Sequence, residues 1–366
     1  MIDGVAADRQ GPLPFTVLTG FLGAGKTTLL NRLLKDPAWA GSLVLVNEIG
    51  EIGLDHLLME PVEGGIFALA GGCLCCSVRT DLTEALADIA RRRAEGSLPQ
   101  FQRVVLETSG LADPIPVLHA LLADPALMNQ YALDGVVTVV DAATGLITLD
   151  DHEEARRQVA IADRIVLTKT DMAEPDALRA IRARLSALAP GATVLDTRAG
   201  EAVPSTLLHL GPFLAGGKID AVTDWLAAER VGAASATRHD TAIASATIWS
   251  DASMPPSALP LFAELLRATH GSRILRLKGL VRMADDPERP VVMHGVRHLF
   301  HPPRRLPAWP DDDHRTRIVV VAEGLDPAIL ARLYDACAGV VAPDQPDRAA
   351  LLDNPLAPRR SGLLAG

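Results

Sequence analysis

Gly20-Phe21-Leu22-Gly23-Ala24-Gly25-Lys26-Thr27 follows the apolar run Phe15–Thr19 and opens the helical pattern Thr28–Leu34. Glycines at this spacing let a chain curl until several backbone N–H groups aim at one centre, where a helix N-terminus adds partial positive charge. That is the chemistry of a phosphate-binding loop. Lys26 is the residue to hold β- and γ-phosphates. Thr27 and the following Thr28 lie at the helix start, and the Thr27 hydroxyl is placed to reach a magnesium ion that bridges phosphate oxygens.

A second cluster, Gly71-Gly72-Cys73-Leu74-Cys75-Cys76-Ser77, holds three of the four cysteines of the chain within four residues. Such close cysteines cannot share one face of a helix or strand, so a loop must wrap them. Soft thiolates suit Zn²⁺, Cu(I) or related ions, and three sulfurs leave a tetrahedral ion one open position. A redox pair and inert packing are the other readings of Cys73, Cys75 and Cys76. The fourth cysteine, Cys337, shares helical spacing with Ile329 and Leu333 and reads as core.

Carboxylates complete the candidate chemistry. Asn47-Glu48-Ile49-Gly50-Glu51 with Asp55 forms one acidic, glycine-containing segment, and Glu107-Thr108-Ser109-Gly110-Leu111-Ala112-Asp113 forms another. Glu107 stands where a magnesium-linked carboxylate belongs and Gly110 where a backbone N–H meets a γ-phosphate. Glu107 and Asp113 are candidates for activating water. Leu167-Thr168-Lys169-Thr170-Asp171 resembles the base-recognition signature of GTP-binding proteins, in which an aspartate accepts hydrogen bonds from guanine. A base without those donors would leave Asp171 unpaired, at a cost of roughly 1–3 kcal/mol. Thr168 stands where asparagine is usual, so guanine preference rests mainly on Asp171.

The elements that must position these residues are short β-rich runs: Phe15–Thr19, Leu43–Val46, Val104–Leu106, Val136–Val140, Ile165–Leu167 and Thr193–Leu195. Helical patterns alternate with them, which predicts a mostly parallel sheet covered by helices, with the ligand at the carboxyl ends of the strands. From His239 the pattern becomes a strand at 241–249, a helix at 257–268, strands at 274–283, 291–300 and 317–322 and a helix at 327–336, a smaller α+β domain. The expected division is an N-terminal tail 1–12, a phosphate-loop domain 13–200, a connector 201–238 with short helices, the α+β domain 239–340 and a tail 341–366.

The 366 residues are 48% apolar, enough for two cores, and carry a net charge of −10 with no basic stripe. Nucleic-acid binding is not expected from that balance. No signal-peptide pattern opens the chain and no run reaches the roughly 18 apolar residues of a membrane span, so a cytoplasmic, membrane-free protein is expected. No pattern sets an oligomeric state. His119 and the His294/His298/His301 group are further candidate ligands, but alternate strand residues face opposite ways, and a polar sheet face or partner surface is the expected role of the group.

Taken together these residues resemble the CobW-like GTPases, a metallochaperone family within the phosphate-loop NTPases. The resemblance spans almost the whole chain: the phosphate loop, Asn47-Glu48 with Gly50, Cys73-Leu74-Cys75-Cys76, Glu107 to Gly110, Lys169 with Asp171, and the second domain. It implies magnesium-dependent GTP hydrolysis coupled to loading or delivery of a metal such as zinc or cobalt to a client metalloprotein. Thr168 is the main departure. A small-molecule kinase, or a GTPase whose cysteines hold a purely structural metal, are the alternative readings.

Overall fold

The structure is a computed structural model that describes residues 11–47, 59–62, 66–71, 78–98, 100–208, 210 and 243–340. Residues 1–10 of the expected N-terminal tail, the whole tail 341–366 and most of the connector lie outside the described residues. So do Glu48, Gly50, Glu51, Asp55 and the three clustered cysteines.

Among the described residues eight strands form the first sheet: β1 (Leu13–Gly20), β2 (Ser42–Asn47), β3 (Met59–Val62), β4 (Ile66–Gly71), β5 (Arg103–Glu107), β6 (Tyr131–Asp141), β7 (Arg164–Thr168) and β8 (Thr193–Asp196). Their spatial order is β3-β4-β2-β5-β1-β6-β7-β8. All pairings are parallel except β3 with β4. Burial on both faces explains the unbroken apolar runs. Phe15, Val17, Leu43, Leu45, Val104 and Leu106 point to one face, while Leu18, Val44 and Val105 point to the other, where Leu29, Leu30 and Leu33 of α1 (Lys26–Leu33) cover them.

The first face is covered by α2 (Val78–Ala94), α3 (Ile115–Ala123), α6 (Glu153–Ala160) and α7 (Pro175–Leu188); α4 (Pro125–Gln130) and α5 (Gly145–Asp151) are short connecting helices. All six strand expectations correspond to strands. The β3–β4 hairpin is not among the strands expected from the sequence. The described part of the connector, residues 201–208 and 210, carries a short 3₁₀ turn at Pro204–Leu207.

The second sheet is antiparallel and comprises β9 (Ile243–Ser250), β10 (Ile274–Val281), β11 (Val291–Val296), β12 (Leu299–Phe300), β13 (Arg304–Arg305) and β14 (Thr316–Glu323). Helices α8 (Ala258–His270) and α9 (Pro327–Cys337) cover one face, with Phe262 edge-on to Tyr334 at 5.5 Å. Cys337 packs against this core, as its spacing implied. The expected single strand 291–300 is instead a hairpin, because Arg297 takes a left-handed conformation, φ 55°. That turn corrects the expectation for His294 and His301, while His298 stays exposed. It folds His301 back so that its N–H bonds the His294 carbonyl at 2.9 Å, and the two buried rings stack at 5.1 Å.

Ile243, Leu275, Val296 and Val321, on the other face of this sheet, join the core of the first domain. The junction is also polar. Buried Asp163, just after α6, pairs with Arg276 and Lys278 of β10 and accepts the Val136 N–H at 2.9 Å. Burial alone would raise the Asp163 carboxyl, but Arg276 and Lys278 hold it well below the usual carboxylate range. Burial pushes Lys278 down to about 8. His119 of α3 meets His298 of the β11–β12 turn at 2.7 Å between Nε2 atoms. No helix among the described residues is long and apolar enough to cross a membrane.

Candidate functional site

The phosphate-loop, Glu107–Gly110 and Thr168–Asp171 motifs all lie at the carboxyl edge of the first sheet. β1 ends at Gly20, whose φ is 142°, and Gly23 and Gly25 follow at 74° and 97°, values that side-chain-bearing residues rarely adopt. The loop therefore turns sharply and delivers its chain to α1, with Gly25 as the left-handed residue before Lys26. Ala24 donates its N–H to the Phe21 carbonyl at 3.2 Å, which closes the turn. Lys26 lies back across the loop, its Nζ 2.9 Å from the Gly20 carbonyl and 3.3 Å from that of Phe21. Thr27 and Thr28 are exposed on the first turn and line a cleft with Gly23, Gly25 and Lys26.

Across the cleft, Glu107 ends β5 and is buried. The Thr27 hydroxyl donates to Glu107 Oε1 at 2.7 Å, so two oxygen groups 80 residues apart meet at one point. Such hard oxygen donors fit magnesium. Thr108 next reaches back to β1, its hydroxyl 2.8 Å from Thr19 Oγ1. The chain then passes the phosphate loop so closely at Gly110 that a β-carbon there would stand 2.6 Å from Leu22 Cα. Glycine is required by that approach. Asp113 is not directed at the cleft: it accepts the Ile115 N–H at 2.9 Å at the start of α3 and faces Arg157 at 3.7 Å. This corrects its candidacy as a base for the attacking water.

On the other side, Thr168 ends β7 and donates its hydroxyl to the Ala24 carbonyl at 2.7 Å. The shorter residue thus still ties the base-side loop to the phosphate loop. Lys169, at φ 54°, stretches along the same loop, with Nζ 3.0 Å from the Gly23 carbonyl and 2.7 Å from Asp141. Burial would raise Asp141, yet the Lys169 ammonium and the Ala143 N–H hold its carboxyl down. Asp171 is exposed two residues farther on, and Thr170 is anchored to Asp196 at 2.9 Å.

Gly23, Gly25, Lys26, Thr27, Thr28, Glu107 and Gly110 thus line one cleft, with Gly20 bonded to Lys26, Thr168 bonded to Ala24 and Lys169 bonded to Gly23 at its edge. Cys73, Cys75 and Cys76 lie outside the described residues, but their point of departure does not. Gly71 ends β4 and pairs in register with Asn47, while the neighbouring Val46 pairs with Glu107. Asp141 and Gln158 were missed by the sequence reading. The rule that found Glu107 would have found Asp141, since it too ends a parallel strand. Gln158 sits inside a helix, where nothing in the local pattern marks it.

Comparison with known proteins gives a consistent picture. Residues 14–196 match the CobW/HypB/UreG nucleotide-binding domain, and residues 243–338 match the cobalamin synthesis protein CobW C-terminal domain. The chain is 32% identical over 312 residues to the zinc chaperone YjiA of Escherichia coli (strain K12), covering 85% of this chain and 94% of that one. It is 31% identical over 369 residues to the zinc chaperone CobW of Pseudomonas aeruginosa, with 90% and 92% covered. The crystal structure of zinc-bound YjiA GTPase from E. coli aligns with a TM-score of 0.65 at 25% identity, covering 91% of this chain and all of that one, 100%.

Proposed function

Because the chain belongs to the CobW/HypB/UreG family and carries the CobW C-terminal domain, we propose that it is a magnesium-dependent GTPase that loads or delivers a transition metal, zinc or cobalt, to a client metalloprotein. Its metal is cargo, bound by Cys73, Cys75 and Cys76. Three thiolates hold Zn²⁺ or Co²⁺ while leaving a position for a ligand of the client. A reducing cytoplasm suits that chemistry, since it keeps the thiols unpaired.

In the nucleotide site, the N–H groups of Gly23 to Thr28 and the Lys26 ammonium hold the phosphates. Thr27 and Glu107 are the residues that would hold magnesium, which when bound neutralises charge on the β- and γ-oxygens. The Gly110 N–H meets the γ-phosphate. Asp171 accepts the guanine N–H groups, and Thr168 and Lys169 keep its loop fixed to the phosphate loop. Loss of the γ-phosphate releases Gly110, and the sheet edge relaxes around the departing phosphate.

One observation carries the coupling of hydrolysis to metal: the register that sets Gly71 beside Asn47, one strand from Glu107. The chain leading to Cys73 leaves the same edge of the sheet that senses the nucleotide, which supports a metal site answerable to GTP. The test is competitive titration with Zn²⁺ and Co²⁺ in the presence of magnesium with a non-hydrolysable GTP analogue, of magnesium-GDP, and without nucleotide. Binding should be tighter in the GTP-like state by about tenfold, within the usual range of coupling between sites, and Cys75→Ser should abolish the difference. Equal affinity in all three states would reduce the cysteine segment to a structural or redox feature.

A further inference from the structure

Helix α6 lies between the γ-phosphate loop and the second domain, and two adjacent residues on it face both. Gln158 is fully buried, and its amide nitrogen donates to the Gly110 carbonyl at 3.1 Å and the Ala112 carbonyl at 3.0 Å. Two carbonyl acceptors fix which end of the amide faces the loop, since only the nitrogen end can donate. The main chain of Gln158 is held too, its carbonyl accepting the Thr138 hydroxyl of β6 at 2.7 Å. The Gly110 loop is thereby pinned to the sheet through one side chain.

Arg157, the preceding residue, is shared between domains. Its Nε bonds Glu323, the last residue of β14, at 2.9 Å, and Nη1 stands 3.7 Å from Asp113, three residues beyond Gly110. Glu153 of the same helix holds the guanidinium from below. At the end of α6, the Ile161 carbonyl accepts from Arg276 of β10. A movement of Asp113 toward or away from Arg157 therefore alters how firmly that guanidinium serves Glu323. A triphosphate supplies the differential contact such a shift needs, because only its γ-phosphate meets Gly110.

We propose that α6 couples the nucleotide site to the C-terminal domain: Gln158 is the positioning residue for the Gly110–Ala112 carbonyls, and Arg157, shared by Asp113 and Glu323, passes the position of that loop across the domain junction. The proposal rests on the reading that Gly110 senses the γ-phosphate. It identifies Glu323, in a different domain from the phosphate loop, as a residue that sets discrimination between GTP and GDP.

The experiment measures affinities of the full chain for GDP and for a non-hydrolysable GTP analogue, both with magnesium, in Gln158→Met, Glu323→Gln and Gly110→Ala. Gln158→Met keeps the side-chain length and removes both donors, so it should lower the analogue-to-GDP affinity ratio about tenfold, as Gly110→Ala does. Glu323→Gln should change the ratio about threefold, a magnitude ordinary for residues that couple two sites. Equal weakening of both nucleotides by Gln158→Met would show structural support alone and overturn its assignment. A ratio within twofold of wild type in Glu323→Gln, with Gly110→Ala still effective, would overturn the coupling while leaving the γ-phosphate reading intact. An unchanged ratio in Gly110→Ala would overturn that reading and the proposal with it.

Discussion

A methyl group on Gly110 would lie 2.6 Å from Leu22 Cα and 2.7 Å from its nitrogen, so it would meet backbone that cannot rotate away. The two loops would have to separate by several tenths of an ångström. Gly110→Ala should therefore cut GTP turnover by about 10²-fold, the scale expected when a donor aimed at developing charge is displaced, while GDP affinity changes little. Single-turnover hydrolysis with matched GDP binding reads both effects; unchanged turnover would show that the close approach is dispensable. Thr168 makes a related point. In the bare pattern Leu167-Thr168-Lys169-Thr170-Asp171 the threonine looks like a loss of one base contact, but its hydroxyl binds the Ala24 carbonyl and supports the phosphate loop instead.

At the scale of elements, the β11–β12 hairpin has a consequence for pH. Burial pushes His301 down to about 4, and buried His294, against which it stacks, is also held well below the ordinary histidine range by burial, with His301, Lys278 and Arg276 adding to the effect and Asp163 opposing it. In the unfolded chain both titrate near 6.5. Between about pH 6.5 and 4 the unfolded chain binds more protons than the folded one, so stability is full above 6.5 and falls as pH drops through that window. Each histidine contributes a slope of at most about 1.4 kcal/mol per pH unit. Urea midpoints measured from pH 7 to 4.5 should decline, and His301→Gln should flatten the decline by roughly half; an equally steep decline in the variant would remove His301 as a cause. The hairpin itself was not legible from sequence, because Val291–Phe300 reads as one strand unless Arg297 is known to turn. The strands around the site were legible, since burial on both faces writes them as unbroken apolar runs such as Val136–Val140.

For the whole molecule, the junction concentrates charge at a single carboxylate. Asp163→Ala would leave buried Arg276 and half-buried Lys278 without their carboxylate, and removing one member of a buried ion pair costs about 3–5 kcal/mol. Thermal unfolding should show a lower midpoint and earlier loss of the second domain; an unchanged midpoint would mean that the apolar contacts of Ile243, Leu275, Val296 and Val321 hold the domains together by themselves. By itself the sequence determined the motifs and the layers. The phosphate loop, the three-cysteine cluster, Glu107 and the alternation of strand and helix are local patterns, set by backbone freedom and by side-chain period, and they survive without coordinates. Tertiary structure alone decided what meets what: Thr27 with Glu107 across 80 residues, Gln158 under Gly110, Arg157 between Asp113 and Glu323, and Gly71 in register with Asn47. Those contacts depend on strand order and helix placement, which arise from packing of the whole chain, and no neighbouring residue in the sequence announces them.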